Sequence, residues 1–120
     1  MAELQRLSAY ALGKPGAWPD DPWGDHPVAK VHDKIFCFLG TTGIGVKCGD
    51  NRAEADDWLQ TYPQDAAVMA YIGRSGWNTL SYGGTIPETE LRAAIDESYL
   101  RVVEKLPRKH RPAGWDAHLC

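Results

Sequence analysis

Apolar residues recur along the chain with two different periods, and the changes of period divide it into predicted helices and strands. In three stretches the apolar positions lie three or four residues apart, which is the spacing of a helix that buries one face. A Gly or Pro follows each stretch where a helix would end. The predicted helices cover residues 3–12, from 50 or 51 to 62, and 87–106.

Shorter apolar runs between these helices predict strands. They cover residues 28–31, 34–39, 44–48, 68–72 and 77–82, with a short edge strand at 17–18. His32 and Asp33 form a tight turn between the first two runs, and residues 40–43 form the next turn. The last two runs flank a four-residue connection, 73–76, which places Arg74 at the tip of a hairpin.

One predicted strand, residues 34–39, is apolar on both of its faces. If side chains alternate regularly, Ile35, Cys37 and Leu39 point to one face of this strand and Phe36 and Phe38 point to the other. Such a strand is expected in the centre of a sheet or beneath a covering segment.

The order of the elements is α-β-β-β-α-β-β-α, which predicts an α+β fold. We expect two layers, with an antiparallel sheet of about five to six strands and the helices mainly on one face. Residues 1–109 form the predicted single domain. Residues 110–120 contain two breakers and no periodicity, so they are expected to be a C-terminal extension that is mobile or draped over the domain.

Composition agrees with one globular domain and narrows the class of partner. The chain has 120 residues, 43% hydrophobic and 24% charged. No apolar run is long enough to cross a bilayer and the N-terminus lacks the layout of a secretory signal, so we expect a cytoplasmic protein without membrane contact. A net charge of −3 opposes non-specific nucleic-acid binding, although residues 105–111, KLPRKHR, form a local basic patch.

The candidate chemistry is weak. Cys37, Cys48 and Cys120 are an odd number without CxxC spacing, and the first two fall in apolar strands where cysteine is a small hydrophobe rather than a nucleophile. Aspartates and histidines between residues 20 and 33, and His118 near Cys120, lack a spacing that forces metal ligands together. We expect no metal, no cofactor, no catalytic residues and hence no enzyme.

Residues 18–26 crowd prolines, acids and two tryptophans into a loop with two interpretations. Exposed tryptophans can line a ligand groove or stack on bases. The loop composition is also typical of a cover pinned onto a sheet edge by its own aromatic rings. The structural interpretation is favoured, with Trp23 as the anchor.

Several motifs in order resemble the MmcQ/YjbR family of small bacterial proteins. They are PGAWPDDPWG, VAKVHDKIFCFL, GVKC, YIGRSGW and PETELRAAIDESYLRVVEKLPRK, and they span roughly residues 4–109. The resemblance implies an antiparallel sheet with helices, an architecture compared with secretion chaperones and double-winged DNA-binding proteins. Family members are commonly labelled as predicted DNA-binding proteins. Arg74 stands where the family usually has lysine, which keeps the charge, and the tail after Lys109 extends beyond the shared region.

The first functional hypothesis is therefore DNA binding. Arg74 would be the wing contact, the basic run would hold phosphates through Arg108, Lys109 and Arg111, and three strand lysines, Lys30, Lys34 and Lys47, would support them. Acids close to these lysines, at positions 20, 21, 25 and 33, oppose the hypothesis, and solvated surface charge explains the same residues.

The alternative hypothesis is a protein-interaction module. An antiparallel sheet with an open edge can accept a strand from a partner, and chaperone-like architectures bind extended chains. A homodimer through the sheet edge or the last helix would have the same sequence signature.

Overall fold

The computed structural model describes residues 2–116, which form three α-helices and one six-stranded sheet. The helices are α1 (Ala2–Leu12), α2 (Arg52–Thr61) and α3 (Glu88–Glu104). The strands are β1 (Ala17–Asp20), β2 (Val28–Val31), β3 (Lys34–Leu39), β4 (Gly43–Lys47), β5 (Ala66–Val68) and β6 (Trp77–Ser81). The order across the sheet is β1-β2-β3-β4-β6-β5, and every neighbouring pair is antiparallel. This confirms the predicted α+β class, and the predicted order of elements holds once the short edge strand expected at 17–18 is added as β1.

The helix boundaries follow local capping chemistry. The Asn51 side chain accepts a hydrogen bond from the Glu54 N–H at 3.0 Å, and the Glu54 carboxylate accepts one from the Asp50 N–H at 2.7 Å. These reciprocal bonds satisfy backbone donors at the start of α2. Pro87 has φ −62° and directly precedes α3, whose first turn carries Glu88 and Glu90 at the positive end of the helix dipole.

The hydrophobic core lies between one face of the sheet and the helices of residues 2–116. The rings of Phe36 on β3 and Tyr99 on α3 meet edge to face, with centroids 5.2 Å apart. On β6, Leu80 joins the same core, and Asn78, two residues away on the same face, donates to the Ala55 carbonyl of α2. The three helices therefore share one face, and we call the other face, which carries Val28, Phe38, Gly45 and Thr79, the open face.

The pairing of β2 with β3 contains one irregularity that changes which side chains share a face. Lys30 pairs with Ile35 and Ala29 pairs with Cys37, so Phe36 has no residue opposite it. In such a β-bulge, two successive residues stand against one step of the neighbouring strand. Phe36 and Cys37 are both in the core as a result. The prediction that Phe36 shares a face with Phe38 is wrong, because alternation assumes regular pairing.

The β5–β6 hairpin differs from its predicted form. Its first strand ends at Val68 instead of residue 72, so the connection has eight residues, 69–76, instead of four. Residues Gly73–Ser75 form a 3-10 turn, and the Arg52 guanidinium donates to the Gly73 carbonyl at 2.6 Å. Arg74 is exposed in this turn, which packs back on α2 and does not project as a wing tip.

The segment after α3 lies against the domain as far as the structure describes it. Arg108–His110 form a 3-10 turn, and the His110 ring stacks on His32 at 4.1 Å. Arg111 donates to the carbonyls of Glu104 and Leu106 at 2.7 and 3.0 Å. Residues 117–120 of the predicted extension lie outside the described residues. Within residues 2–116, no helix has the length and apolarity needed to cross a bilayer.

Candidate binding cleft on the open face of the sheet

A cleft of about 940 Å³ crosses the open face. Its floor is formed by side chains from β2, β3, β4 and β6, and its walls come from the loop before β2 and the connection after β5. It continues around the β3–β4 turn to α1. The side chains that line it include Trp23, Asp25, Phe38, Met69, Tyr71 and Thr79.

Aromatic rings form a row beside this floor. The rings of Trp77 and Phe38 meet edge to face at 5.7 Å, and Trp23 stacks on Phe38 at 6.3 Å with only 18° between the planes. His26 meets the edge of Trp23 at 6.3 Å. The row runs from the sheet into the loop, so the loop is held by ring contacts on the open face.

Gly45 lets the Met69 side chain pack closely against the floor of the cleft. It lies opposite Phe38 on β3 and opposite Thr79 on β6, at the centre of the open face. The Sδ atom of Met69 lies 2.8 Å from the position that a Cβ of Gly45 would occupy, so the Met69 side chain fills the space that glycine leaves. Met69 is half-buried, and its unbranched thioether makes this part of the floor adaptable.

The loop of residues 20–26 covers only part of the face. The Asp21 carboxylate accepts from the His26 N–H at 3.0 Å, and Gly24 has φ 89°, which a glycine adopts without strain. Trp23 contacts the sheet as predicted, but it is 58% exposed and is not a buried anchor. The loop is therefore one wall of a cleft and leaves most of the indole available to a ligand.

Tyr71 forms part of the opposite wall in an unusual conformation. Its φ is 68°, and the Ile72 N–H donates to the Ala70 carbonyl across it at 2.8 Å, which is the hydrogen bond of a γ-turn. The positive-φ form of this turn is rare and strained for a residue with a side chain. The side chain is fully exposed, at 103% of its reference area. A large aromatic group is thus held in solvent beside an apolar cleft at a conformational cost.

The charge of the cleft is distinctive. Among the described residues that line it, Asp25 and His26 are the ionisable groups besides the Tyr71 phenol, and none is Lys or Arg. A phosphate-rich ligand finds no cation there, whereas nucleic-acid interfaces depend on them. An apolar ligand that is neutral or positively charged fits this lining.

The predicted nucleic-acid residues lie mostly at one end of the sheet. Strand register places Lys34, Lys47 and the turn containing Arg74 at this end, because Val31 pairs with Lys34 and Lys47 pairs with Trp77. The His32–His110 stack brings the turn containing Arg108 and Lys109 to the same end. Lys34, Arg74, Arg108 and Lys109 are all exposed.

The other predicted nucleic-acid residues have structural contacts within the described chain. Lys30 pairs with Asp20 at 3.2 Å and lies over the Trp18 ring at 4.8 Å. Arg111 holds the last carbonyls of α3. Burial, and then repulsion from Lys105, lower the pKa of Lys47. These three cations are less available to phosphates than their sequence positions suggest.

The cysteines and acidic residues assemble no reactive centre in the described region. Burial raises the pKa of the Cys48 thiol to about 12 and also raises that of Cys37, so neither is a ready thiolate. Across residues 2–116, no three His, Cys, Asp or Glu side chains converge as metal ligands. His118 and Cys120 lie outside the described residues.

Sequence reasoning missed Gly45, Met69, Tyr71 and Thr79 as parts of a site. One signal for Tyr71 was available, since it begins the YIGRSGW motif that carries the family resemblance. The others become visible only when the register brings three strands together.

Comparison with known proteins gives a consistent family and fold. The YjbR family model matches residues 12–101. The "Uncharacterized protein YjbR" of Escherichia coli K12 is 24% identical over 114 residues, covering 90% of this chain and 93% of that protein. The protein of the same description from E. coli O157:H7 gives the same values. The crystal structure of Deinococcus radiodurans protein DR2400, described with a DUF419 domain, has a TM-score of 0.79 at 21% identity and covers 90% of this chain and 84% of that chain.

Proposed function

The chain belongs to the YjbR family, and we propose that in this protein the open face of the sheet binds an apolar segment of a partner polypeptide. The relatives are described as uncharacterised, so the proposal comes from the geometry of this chain. The observation that carries it is the cleft itself, whose walls carry the exposed Trp23 and Tyr71 and whose apolar floor has no Lys or Arg among the described residues.

The exposed aromatic residues support a binding surface. Of the four large hydrophobic residues that are exposed in residues 2–116, Trp23 and Tyr71 line the cleft and Trp18 lies beside it on β1. Exposed apolar side chains scattered singly are normal, whereas several around one concavity indicate an interaction site. Tyr and Trp are also the residues most enriched at the centres of protein interfaces.

The dimensions favour an extended chain. From β2 to β6 the cleft crosses three strand spacings, or about 14 Å. An extended polypeptide rises about 3.3 Å per residue, so roughly four or five residues cross the floor. The edge strands are poorly suited to pairing with a strand of a partner, because β1 contains Pro19, which lacks an N–H donor, and β5 has only three residues. Binding on the open face is therefore favoured over strand addition at an edge.

Substitution of Thr79 tests the proposal. Thr79 is exposed on the floor, and its neighbours Gly45 and Ala67 are small, so its replacement changes the floor with little effect on packing. Thr79→Arg places a cation in the cleft, while Thr79→Val keeps the shape and serves as the matched control. Peptides selected from a random decapeptide display library on the wild-type protein should be rich in aromatic and aliphatic residues.

The selected peptides are then measured against both variants by fluorescence anisotropy. Thr79→Arg should weaken binding at least about tenfold, as expected when a central interface position becomes unfavourable. Thr79→Val should stay within about twofold of the wild type. Equal binding to Thr79→Arg, or selection of no peptide at all, would overturn the proposal.

A second candidate function is nucleic-acid binding by the basic end of the sheet. It rests on the clustering of exposed Lys34, Arg74, Arg108 and Lys109 at that end. A salt titration of labelled duplex DNA tests it. Replacement of Arg74 by Ala should reduce the log–log salt slope by about one unit if the residue contacts phosphate. An unchanged slope would remove Arg74 from this function.

A further inference from the structure

We infer that the segment bound in the cleft carries positive charge, as an apolar stretch flanked by Lys or Arg. This inference rests on the proposed function and adds the chemistry by which the partner is recognised. It comes from the distribution of charge around the cleft and from the geometry of Trp23.

One wall of the cleft is acidic. The loop of residues 20–26 contains Asp20, Asp21 and Asp25, and Lys30 pairs with the first of them at 3.2 Å. The Asp25 side chain lines the cleft and is 79% exposed. Its ionic neighbour in the described chain is His26, 3.4 Å away, which is charged only when it is protonated. The wall therefore presents the Asp25 carboxylate to a ligand.

No described lining residue is Lys or Arg. A cation on the ligand meets attraction from the loop and no repulsion from the floor. An anionic ligand is repelled by the loop and finds no Lys or Arg on the floor, so fatty-acid and phosphate ligands fit this cleft poorly. Complementary potentials of this kind set partner choice more than they set total affinity.

Trp23 adds a second contact for a cation. One face of its indole stacks on Phe38 and the His26 ring also contacts it at a steep angle, but the residue is still 58% exposed, so part of the ring is accessible to a ligand. The Asp25 carboxylate follows two residues later in the same loop. A guanidinium over the indole would thus combine a cation–π contact with an ion pair.

Three peptides of one design test the inference. Each has the same selected apolar core and blocked ends, and the flanks are two Arg, two Gln or two Glu at each end. At low salt the Arg peptide should bind about three to tenfold more tightly than the Gln peptide, the range expected for exposed ion pairs with one cation–π contact. The Glu peptide should bind most weakly. The differences should shrink in 0.5 M salt, which is roughly where screening shortens to a few ångströms.

The variant Asp21→Asn/Asp25→Asn should bind the Gln peptide as tightly as the wild type does. It should bind the Arg peptide no more tightly than the Gln peptide. Asn at position 21 retains the oxygen that accepts from the His26 N–H, so the loop conformation is preserved. Asp57→Asn is the matched control, because Asp57 is an exposed acid on α2, on the other side of the sheet.

The outcomes separate the two proposals. If the Arg, Gln and Glu peptides bind equally and Thr79→Arg still weakens them, the charge inference is overturned and the proposed function stands. If Thr79→Arg has no effect on any peptide, the proposed function fails and the inference fails with it. Tighter binding of the Glu peptide contradicts the inference directly.

Discussion

Replacing Tyr71 by glycine should stabilise the protein, although it removes a large aromatic side chain. The residue has φ 68° and its side chain is 103% exposed, so little packing is lost on truncation. A left-handed conformation costs a non-glycine residue about 1–2 kcal/mol. Replacement by glycine removes this cost, but glycine also has more conformational freedom in the unfolded chain, which offsets about 0.4–1 kcal/mol of the gain in stability. The net gain is about 0.5–1 kcal/mol.

Thermal and urea unfolding followed by circular dichroism measure this gain. For a chain of 120 residues, about 0.5–1 kcal/mol raises Tm by about 2–5 °C. Tyr71→Ala keeps the Cβ and its strain, so its stability should stay close to that of the wild type. His32 gives an internal comparison, because it also has a positive φ of 56° but its ring stacks on His110. His32→Gly should therefore lack the full gain.

Both Tyr71 variants should bind selected peptides about tenfold more weakly, the loss typical of a central interface tyrosine. Higher stability with lower affinity is the result expected when strain is retained for binding. A Tyr71→Gly protein that is less stable than the wild type by more than about 0.5 kcal/mol would show that the ring has stabilising contacts of its own and that this prediction is wrong.

Further predictions concern the core and the ionisable groups. Phe36→Ala should destabilise the protein by about 3–5 kcal/mol in urea unfolding, because the ring is fully buried, and a loss below about 1 kcal/mol would contradict its place in the core. Hydrogen bonds from Thr85 lower the pKa of Asp65, so they stabilise the fold above the unfolded-state pKa near 3.8, and this contribution is lost as pH falls through the lower folded value. Asp65→Asn should reduce the slope of stability against pH below about pH 4, and an unchanged slope would count against this linkage. With Cys120 replaced by Ser, the thiols of Cys37 and Cys48 should react slowly with a maleimide at pH 8, and rapid labelling of either would contradict their burial.

Much of the fold could be predicted from sequence because the signals are local. Apolar periodicity located the three helices of the described chain, and Asn51 and Pro87 marked the starts of two of them. The bulge at Phe36 could not be read in the same way. It depends on how β2 and β3 pair, and residues 35–39 are all apolar, so the sequence of β3 shows no change at Phe36.

The cleft was beyond sequence reasoning for a related physical reason. Its floor contains Phe38, Gly45 and Thr79, with the Met69 side chain packed over the glycine, and the first three residues come together only through strand pairing. Residues 69–72 were predicted as strand from their apolar content, but they lie outside β5, and residues 69–71 line the cleft. The positions of the charged residues are evident from the sequence, but their contacts are not. Lys30 pairs with Asp20 and Arg111 donates to a backbone carbonyl, and the sequence reveals neither contact.

The most direct test of binding at the open face is an amide chemical-shift titration of ¹⁵N-labelled protein with the Arg-flanked peptide. If the peptide binds in the cleft, the largest shifts will fall on Phe38, Gly45, Tyr71 and Thr79 and on the loop containing Trp23. Shifts confined to the basic end of the sheet, around Lys34 and Lys109, would show that the peptide binds elsewhere, and a spectrum that the peptide leaves unchanged would show that it does not bind.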